Sequence, residues 1–378
     1  MKPVEYYKDR EQTYLKHLFL ERYLETVAYH IGYSHREFVF VDCFSGPWRA
    51  AHEELGDTSI RIALDRLNSV RNRLAELKRY PTIRAIFVEK SPIAFASLQK
   101  ALQEHRGDIE TAAFEGSFEE NIPGILDQVG ATFAFFFVDP TGWSGFAMDN
   151  LRPILKRGSG EVMINFMYDF INRFLGFQNA SNEESLDRCF GTPNWRAVRE
   201  APDRESALVN FYMEQVRANG GFPYVTSSRI LKPLHYRAYF HLIYATRNPK
   251  GLKEFRNVER KVVIAQEGIR ATSQREHREQ RSGQPEFDFA SEHPSNAFES
   301  ERSQQLLAAK TTIIEFLKEG PLLYETLQPL ILQLRLVWKS DVNGILTELS
   351  KMGQIRIDGL GPRERAPKPG CTLHLLSR

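Results

Sequence analysis

The chain has 378 residues, with 50 lysines and arginines against 48 aspartates and glutamates and a formal net charge of +2. No global charge therefore demands a nucleic acid or an anionic membrane, although a local basic face stays open. Three widely spaced cysteines, Cys43, Cys189 and Cys371, exclude a disulfide framework and a cysteine metal site, the charged N-terminus lacks a signal-peptide core, and no apolar run is long enough to span a membrane, so a cytoplasmic protein without a bound metal is expected.

Residues 14–30 place Leu15, Leu18, Phe19, Tyr23, Leu24 and Val27 at helical spacing, which predicts an amphipathic helix packed on the next elements of the chain. Strands are then expected at 38–42, 83–89, 109–114, 132–138 and 161–166, with helices at 58–70, 92–104, 118–128 and 148–156 between and after them. Alternation of this kind predicts a parallel sheet covered on both faces. Residues 168–222 break the rhythm and read as a helical insertion, with helices at 195–199 and 207–216 and polar loops around 179–184. Two closing strands, 224–230 and 238–246, and a helix at 252–263 complete a first domain over 1–267.

Residues 268–301 hold a mixed-charge run with almost no apolar content, which reads as a flexible linker or an extended polar helix. Residues 302–378 form a compact module. Helices are expected at 304–318, 324–334 and 340–352, the last with Ser340 as N-cap, and strands at 355–357 and 372–375 around a basic loop. Three helices and a basic hairpin predict a winged helix-turn-helix.

Two apolar strands end in an acid. Phe38-Val39-Phe40-Val41 runs into Asp42-Cys43-Phe44-Ser45-Gly46-Pro47, and Phe133 to Val138 runs into Asp139-Pro140-Thr141-Gly142-Trp143. The carboxyl edge of an open α/β sheet is where ligands bind, so the two endings suggest one shared site. Taken alone, Asp42 reads equally as the cap of an ordinary turn. The loop lacks a G-x-G-x-x-G fingerprint, since Trp48 stands where a second glycine is expected. Glu89, at the end of the second strand, has the bidentate acceptor that ribose hydroxyls need. Ser117 and Phe118, after the third strand, read either as the border of a base or as a helix cap made by Ser117 and Glu120. In the Asp139 loop Pro140 restricts the backbone and Trp143 offers a stacking face.

These strand ends, in this order, resemble class I S-adenosylmethionine-dependent methyltransferases. A narrower pattern resembles the three-Cys-motif partner family: Tyr14-Leu15-Lys16-His17 with Tyr23-Leu24, Val41 to Pro47, Gly56 to Ala63-Leu64, Phe137 to Gly142, and Tyr239 to Thr246 leading to Gly251-Leu252. The resemblance covers about residues 10–265 and implies a Rossmann-like methyltransferase fold and an S-adenosylmethionine pocket. It also implies a partner protein with a three-cysteine motif that is similar to radical S-adenosylmethionine proteins. On this reading Asp42, Phe44, Gly46, Glu89, Ser117 and Phe118 border the cofactor, and Asp139, Pro140 and Trp143 meet a nucleophilic nitrogen. In the C-terminal module Lys339, Ser340, Asn343 and Thr347 are expected in a nucleic-acid groove, with Arg356, Arg363, Arg365 and Lys368 on DNA or RNA phosphates. A methyltransferase-like adaptor without catalysis is the other reading that Trp48 leaves open.

Overall fold

The computed structural model describes residues 2–46, 58–140, 142, 147–175, 180–284, 295–361 and 363–376. The chain divides into two compact units, Met1–Val225 with Arg229–Arg247, and Thr226–Ser228 with Asn248–Arg378. Pro47, Trp48, Thr141 and Trp143 lie outside the described residues. No described helix is long and apolar enough to cross a membrane. No group of histidine, cysteine and acidic side chains among the described residues is arranged to hold a metal ion.

The first unit opens with α1 (Glu11–Ser34) and continues through β1 (Glu37–Asp42), α2 (Ser59–Glu76), β2 (Thr82–Glu89), α3 (Pro92–Glu104), β3 (Glu110–Glu115), α4 (Phe118–Val129), β4 (Ala134–Val138), α5 (Met148–Leu155) and β5 (Gly160–Phe166). It ends with α6 (Tyr168–Leu175), α7 (Ala180–Phe190), α8 (Arg204–Gly220), β6 (Tyr224–Leu231), of which Thr226–Ser228 belong to the second unit, and β7 (Ala238–Thr246). The seven strands form one sheet in the order β3-β2-β1-β4-β5-β7-β6. Strands β1 to β5 pair in parallel, and β7 runs antiparallel to β5. This is a mixed α/β fold. The strand order reverses between β1 and β4, and a crevice at such a reversal is where doubly wound sheets receive ligands.

Alternation along the strands decides what each face presents. Val39, Val41, Phe136, Val138, Val162 and Ile164 point into a core shared with Ile125 and Val129 of α4 and Leu151 and Ile154 of α5. Phe38, Phe40 and Phe135 point the other way. There Phe40 meets Phe87 and Phe135 at ring distances of 6.4 and 5.9 Å, and Tyr23 of α1 packs edge-on against Phe135. Tyr23 also donates to the buried Glu161 at 2.6 Å, and Thr246 donates to the same carboxylate at 2.8 Å. Burial raises the pKa of Glu161, against the opposing effect of these donors.

The region expected as polar loops around 179–184 is helical from Ala180. Its polar first turns precede Leu186, Cys189 and Phe190, which are all buried at helical spacing, so core packing extends the helix back through a weak segment.

The second unit begins with α9 (Pro249–Ser282) and continues through α10 (Asn296–Glu319), β8 (Leu322–Leu323), α11 (Tyr324–Ile331), α12 (Lys339–Lys351), β9 (Ile355–Asp358) and β10 (Thr372–Leu375). The helix expected at 252–263 therefore runs on to Ser282, and residues 268–282 take the extended-helix alternative rather than the flexible one. Its buried side chains include Val262, Val263, Gln266 and Arg270, and Gly283 closes it at φ +68°. Helix α10 starts eight positions before the expected 304, because Ser295 accepts the Phe298 N–H at 3.3 Å and caps it. Ser340 is not an N-cap but lies inside α12, where Asp341 reaches back to the Trp338 N–H at 2.8 Å. Strands β8, β10 and β9 form a three-stranded antiparallel sheet, of which β8 is too short to leave a pattern in the sequence.

Candidate ligand crevice at the strand reversal

Asp42 closes β1, and its register partner on β4 is Phe137. Asp139 stands two residues beyond Phe137, so alternation sends both carboxylates to the face covered by α1. Asn165, two residues beyond Met163, which pairs with Phe137, keeps the same alternation on β5. Three polar side chains from three adjacent strands thus converge at one edge. The loop after β1 is stitched in place by Cys43 N–H to Phe137 O and Ser45 N–H to Val88 O, both at 2.9 Å.

The Asp42 carboxyl is fully buried. One oxygen accepts the Phe44 N–H at 3.2 Å and the other accepts the Ser59 hydroxyl, from the first turn of α2, at 2.7 Å. Burial pushes its pKa up to about 7, and the neighbouring Asp139 adds to that; Ser59, the Phe44 amide and Lys16 work against it. Asp139 is held from two sides. Lys16, in the second turn of α1, donates to Oδ2 at 2.5 Å, and Asn165 Nδ2 donates to Oδ1 at 2.6 Å. Asn165 is buried, and its Oδ1 has no hydrogen-bond donor among the described residues. With its amide nitrogen turned to Asp139, that oxygen remains an unused acceptor, which a native structure normally leaves only where something else completes the site.

Glu89 is buried at the end of β2 and accepts the Ser91 N–H through Oε1 at 2.6 Å. Its second oxygen takes no hydrogen bond from the described residues. Ser117 is fully committed to a capping box: its hydroxyl accepts the Glu120 N–H at 3.3 Å and donates to Glu120 Oε2 at 2.8 Å, while its own N–H donates to that oxygen at 3.0 Å. Phe118 is buried in the core rather than laid over the crevice, and the part-buried Phe44 ring packs on it at 5.4 Å. Gly46 has φ +72°, a conformation that favours glycine in the turn leaving the site. Pro140 is buried directly behind Asp139.

The structure therefore brings Asp42 and Asp139 together and places Phe44, Gly46 and Glu89 along the same edge. Three further residues of the site, Lys16, Ser59 and Asn165, are additions that sequence reasoning missed. Asn165 left a signal, since it is the polar interruption near the end of an apolar strand. Lys16 appeared only as one member of the Tyr14-Leu15-Lys16-His17 pattern, with nothing to assign it a place in the site.

In the second unit Lys339, Ser340, Arg363 and Arg365 are exposed. Asn343 accepts the Tyr324 hydroxyl at 2.7 Å, and Thr347 donates to Arg365 O at 3.2 Å, which ties the loop after β9 to α12. Arg356 pairs with Asp358 at 2.9 Å, and Lys368 pairs with Glu364.

No family model and no curated protein matches this chain. Among solved structures it is similar to the cyclopropane synthase MmaA2 from Mycobacterium tuberculosis, at 9% identity over 68% of this chain and 75% of that one, with a TM-score of 0.26. It is also similar to a loganic acid methyltransferase with SAH, at 11% identity over 70% of this chain and 88% of that one, with a TM-score of 0.30. What the chain's own strand order establishes is a seven-stranded, mostly parallel α/β sheet with two acids at its reversal point.

Proposed function

We propose that the first unit is an S-adenosylmethionine-dependent methyltransferase-like domain that takes its cofactor in the crevice between β1 and β4. The observation that carries this reading is the convergence of Asp42 and Asp139 on one face of one strand reversal. The residues present suit the cofactor. Asp42 offers a buried carboxyl that a cationic methionine end would ionise, Glu89 keeps an oxygen for a ribose hydroxyl, and Phe44 supplies an apolar wall. When bound, the cofactor supplies an electrophilic methyl group on a sulfonium. The chain's part is to align the acceptor: Asp139, held by two donors, retains lone pairs that accept an N–H and turn the nitrogen toward the methyl group. Water exclusion by the aromatic face of the sheet strengthens each of these contacts.

Calorimetric titration of the full chain with S-adenosylmethionine and S-adenosylhomocysteine tests the reading. Binding is expected well below a dissociation constant of about 1 mM, which corresponds to roughly −4 kcal/mol. Folded protein that binds neither at that concentration would sink it.

Within the same proposal, residues 302–378 act as a winged helix-turn-helix that holds DNA or RNA, and a three-Cys-motif, radical S-adenosylmethionine-like protein is the partner. The order helix, short strand, helix, helix, two-stranded wing supports the first part. Because Arg356 and Lys368 already face acids, Lys339, Ser340, Arg363 and Arg365 are the better candidates for backbone contacts, and Asn343 and Thr347 would have to exchange existing hydrogen bonds to read bases. Arg363→Ala combined with Arg365→Ala is expected to lower the slope of log affinity against log salt by about 2 on duplex DNA. An unchanged slope would remove these arginines from the interface.

A further inference from the structure

We infer that Lys16 is a positioning residue of the crevice, which locks the Asp139 carboxylate in place from α1 and leaves Asp42, among the described residues, as the acid of the pair without a cationic partner, ready to meet a cationic group of the ligand. The inference rests on the methyltransferase reading for the identity of that ligand, but not for the geometry.

The geometry is that of a clamp. Helix α1 crosses the sheet face and is tied to it at two points, Lys16 to Asp139 and Tyr23 to Glu161. Seven residues of helix separate the two ties, a rise of about 10 Å, comparable to the length of the sheet that they span. The lower tie is between a tyrosine and a buried carboxyl and carries the packing of α1. The upper tie is an ion pair with both side chains largely covered, at 15% and 13% exposure. A surface lysine would serve packing equally well without an acid partner; this one gives up most of its hydration to fix one carboxylate oxygen, while Asn165 fixes the other.

The charge balance comes from the same arrangement. Two acids and one ammonium meet at the reversal point, so the crevice holds one acid more than its described residues can neutralise. Among the described residues, the groups that act on Asp42 are Asp139 after β4, Lys16 of α1, the Ser59 hydroxyl of α2 and the Phe44 amide. Only Lys16 among them is a cation, and it is already paired with Asp139. A sulfonium or ammonium group is the ligand chemistry that completes this set, and its arrival favours the ionised form of Asp42. Binding at neutral pH should then release a proton.

Two measurements separate this inference from the function it serves. The first needs no ligand. In full-length protein carrying carboxyl-labelled aspartate, the titration midpoint of Asp42 is expected near pH 7. It should rise measurably in Lys16→Met, where the nearby cation is gone, and keep its position in Lys16→Arg. A midpoint that does not move in folded Lys16→Met overturns the inference, whatever the protein binds. The second measurement is calorimetry of S-adenosylmethionine binding in buffers of different ionisation enthalpy. Proton release near pH 7 is expected for the unaltered protein, with its pH optimum shifted upward in Lys16→Met. Binding without proton release overturns the role given to Asp42. Absence of any binding condemns the methyltransferase reading alone, and the titration arm then decides on Lys16 by itself. If Lys16→Met fails to fold, Lys16→Gln, which keeps a donor toward Asp139 but no charge, provides the same midpoint comparison.

Discussion

Replacing Arg256 with methionine is expected to destabilise the protein by about 3–5 kcal/mol, because it strands a buried carboxylate. Arg256 and Glu259 both lie in α9, are almost wholly buried, and meet at 2.7 Å. The guanidinium also donates through Nε to Leu332 O at 2.8 Å, through Nη1 to Ser227 O at 3.1 Å, and through Nη2 to Gln333 O at 3.1 Å and to the Thr226 hydroxyl. Burial lowers the pKa of Arg256 and raises that of Glu259, so each is tolerated in the interior only through its partners. Methionine fills much of the volume of the side chain but donates to none of these oxygens. The double variant Arg256→Met with Glu259→Leu should recover part of the loss, since it removes the orphaned charge and leaves only neutral polar groups short of a partner. Urea unfolding of the three proteins decides this. A single-variant loss below about 1 kcal/mol would show that water reaches the guanidinium site and that the pair is not truly buried.

The opposite sign is expected for Asp42→Asn. Folded Asp42 titrates near 7 rather than its ordinary 3.8. Between those values the folded state holds a proton that the unfolded chain has released, so stability falls as pH rises through that window and the loss is complete above about 7. Three pH units at about 1.4 kcal/mol each put the loss near 4 kcal/mol. Asparagine keeps the geometry: its carbonyl accepts the Phe44 N–H, and its amide donates to the Ser59 oxygen in place of the bond that Ser59 now donates. The variant should therefore be more stable than the unaltered protein at pH 8, by about 3–4 kcal/mol, and nearly equal to it at pH 4. Equal differences at both pH values would mean that Asp42 is hydrated and unshifted. An acid that weakens the fold at neutral pH, in a position where an amide would do better, fits the ligand role proposed above for Asp42.

The two predictions concern groups of very different legibility. Asp42 and Asp139 stand out in the sequence because an apolar run that ends in a carboxylate has no packing reason to do so. Arg256 and Glu259 look like any exposed pair on a polar helix, and nothing in the residues around them announces burial. The same contrast runs through the site. Asn165 interrupts an apolar strand, and that interruption is visible in the sequence. Lys16 lies 123 residues from Asp139 in the chain, and only the packing of α1 across the sheet brings the two together. Ser117 illustrates a residue with two legible readings: the spacing to Glu120 marks a cap and the strand end marks a ligand border, and the hydrogen bonds found at Ser117 belong to the cap.

By itself the sequence determined the alternation of strands and helices, the two faces of each strand, and the carboxylates at the strand ends. These come from local periodicity, because a period of two assigns every side chain to a face whatever the strand's neighbours are. The tertiary structure decided that β1 lies beside β4, that Asp42 and Asp139 meet at one strand reversal, and that a lysine from α1 pairs with Asp139. Strand order and helix placement depend on which buried surfaces fit across long stretches of chain, and no local period encodes that fit.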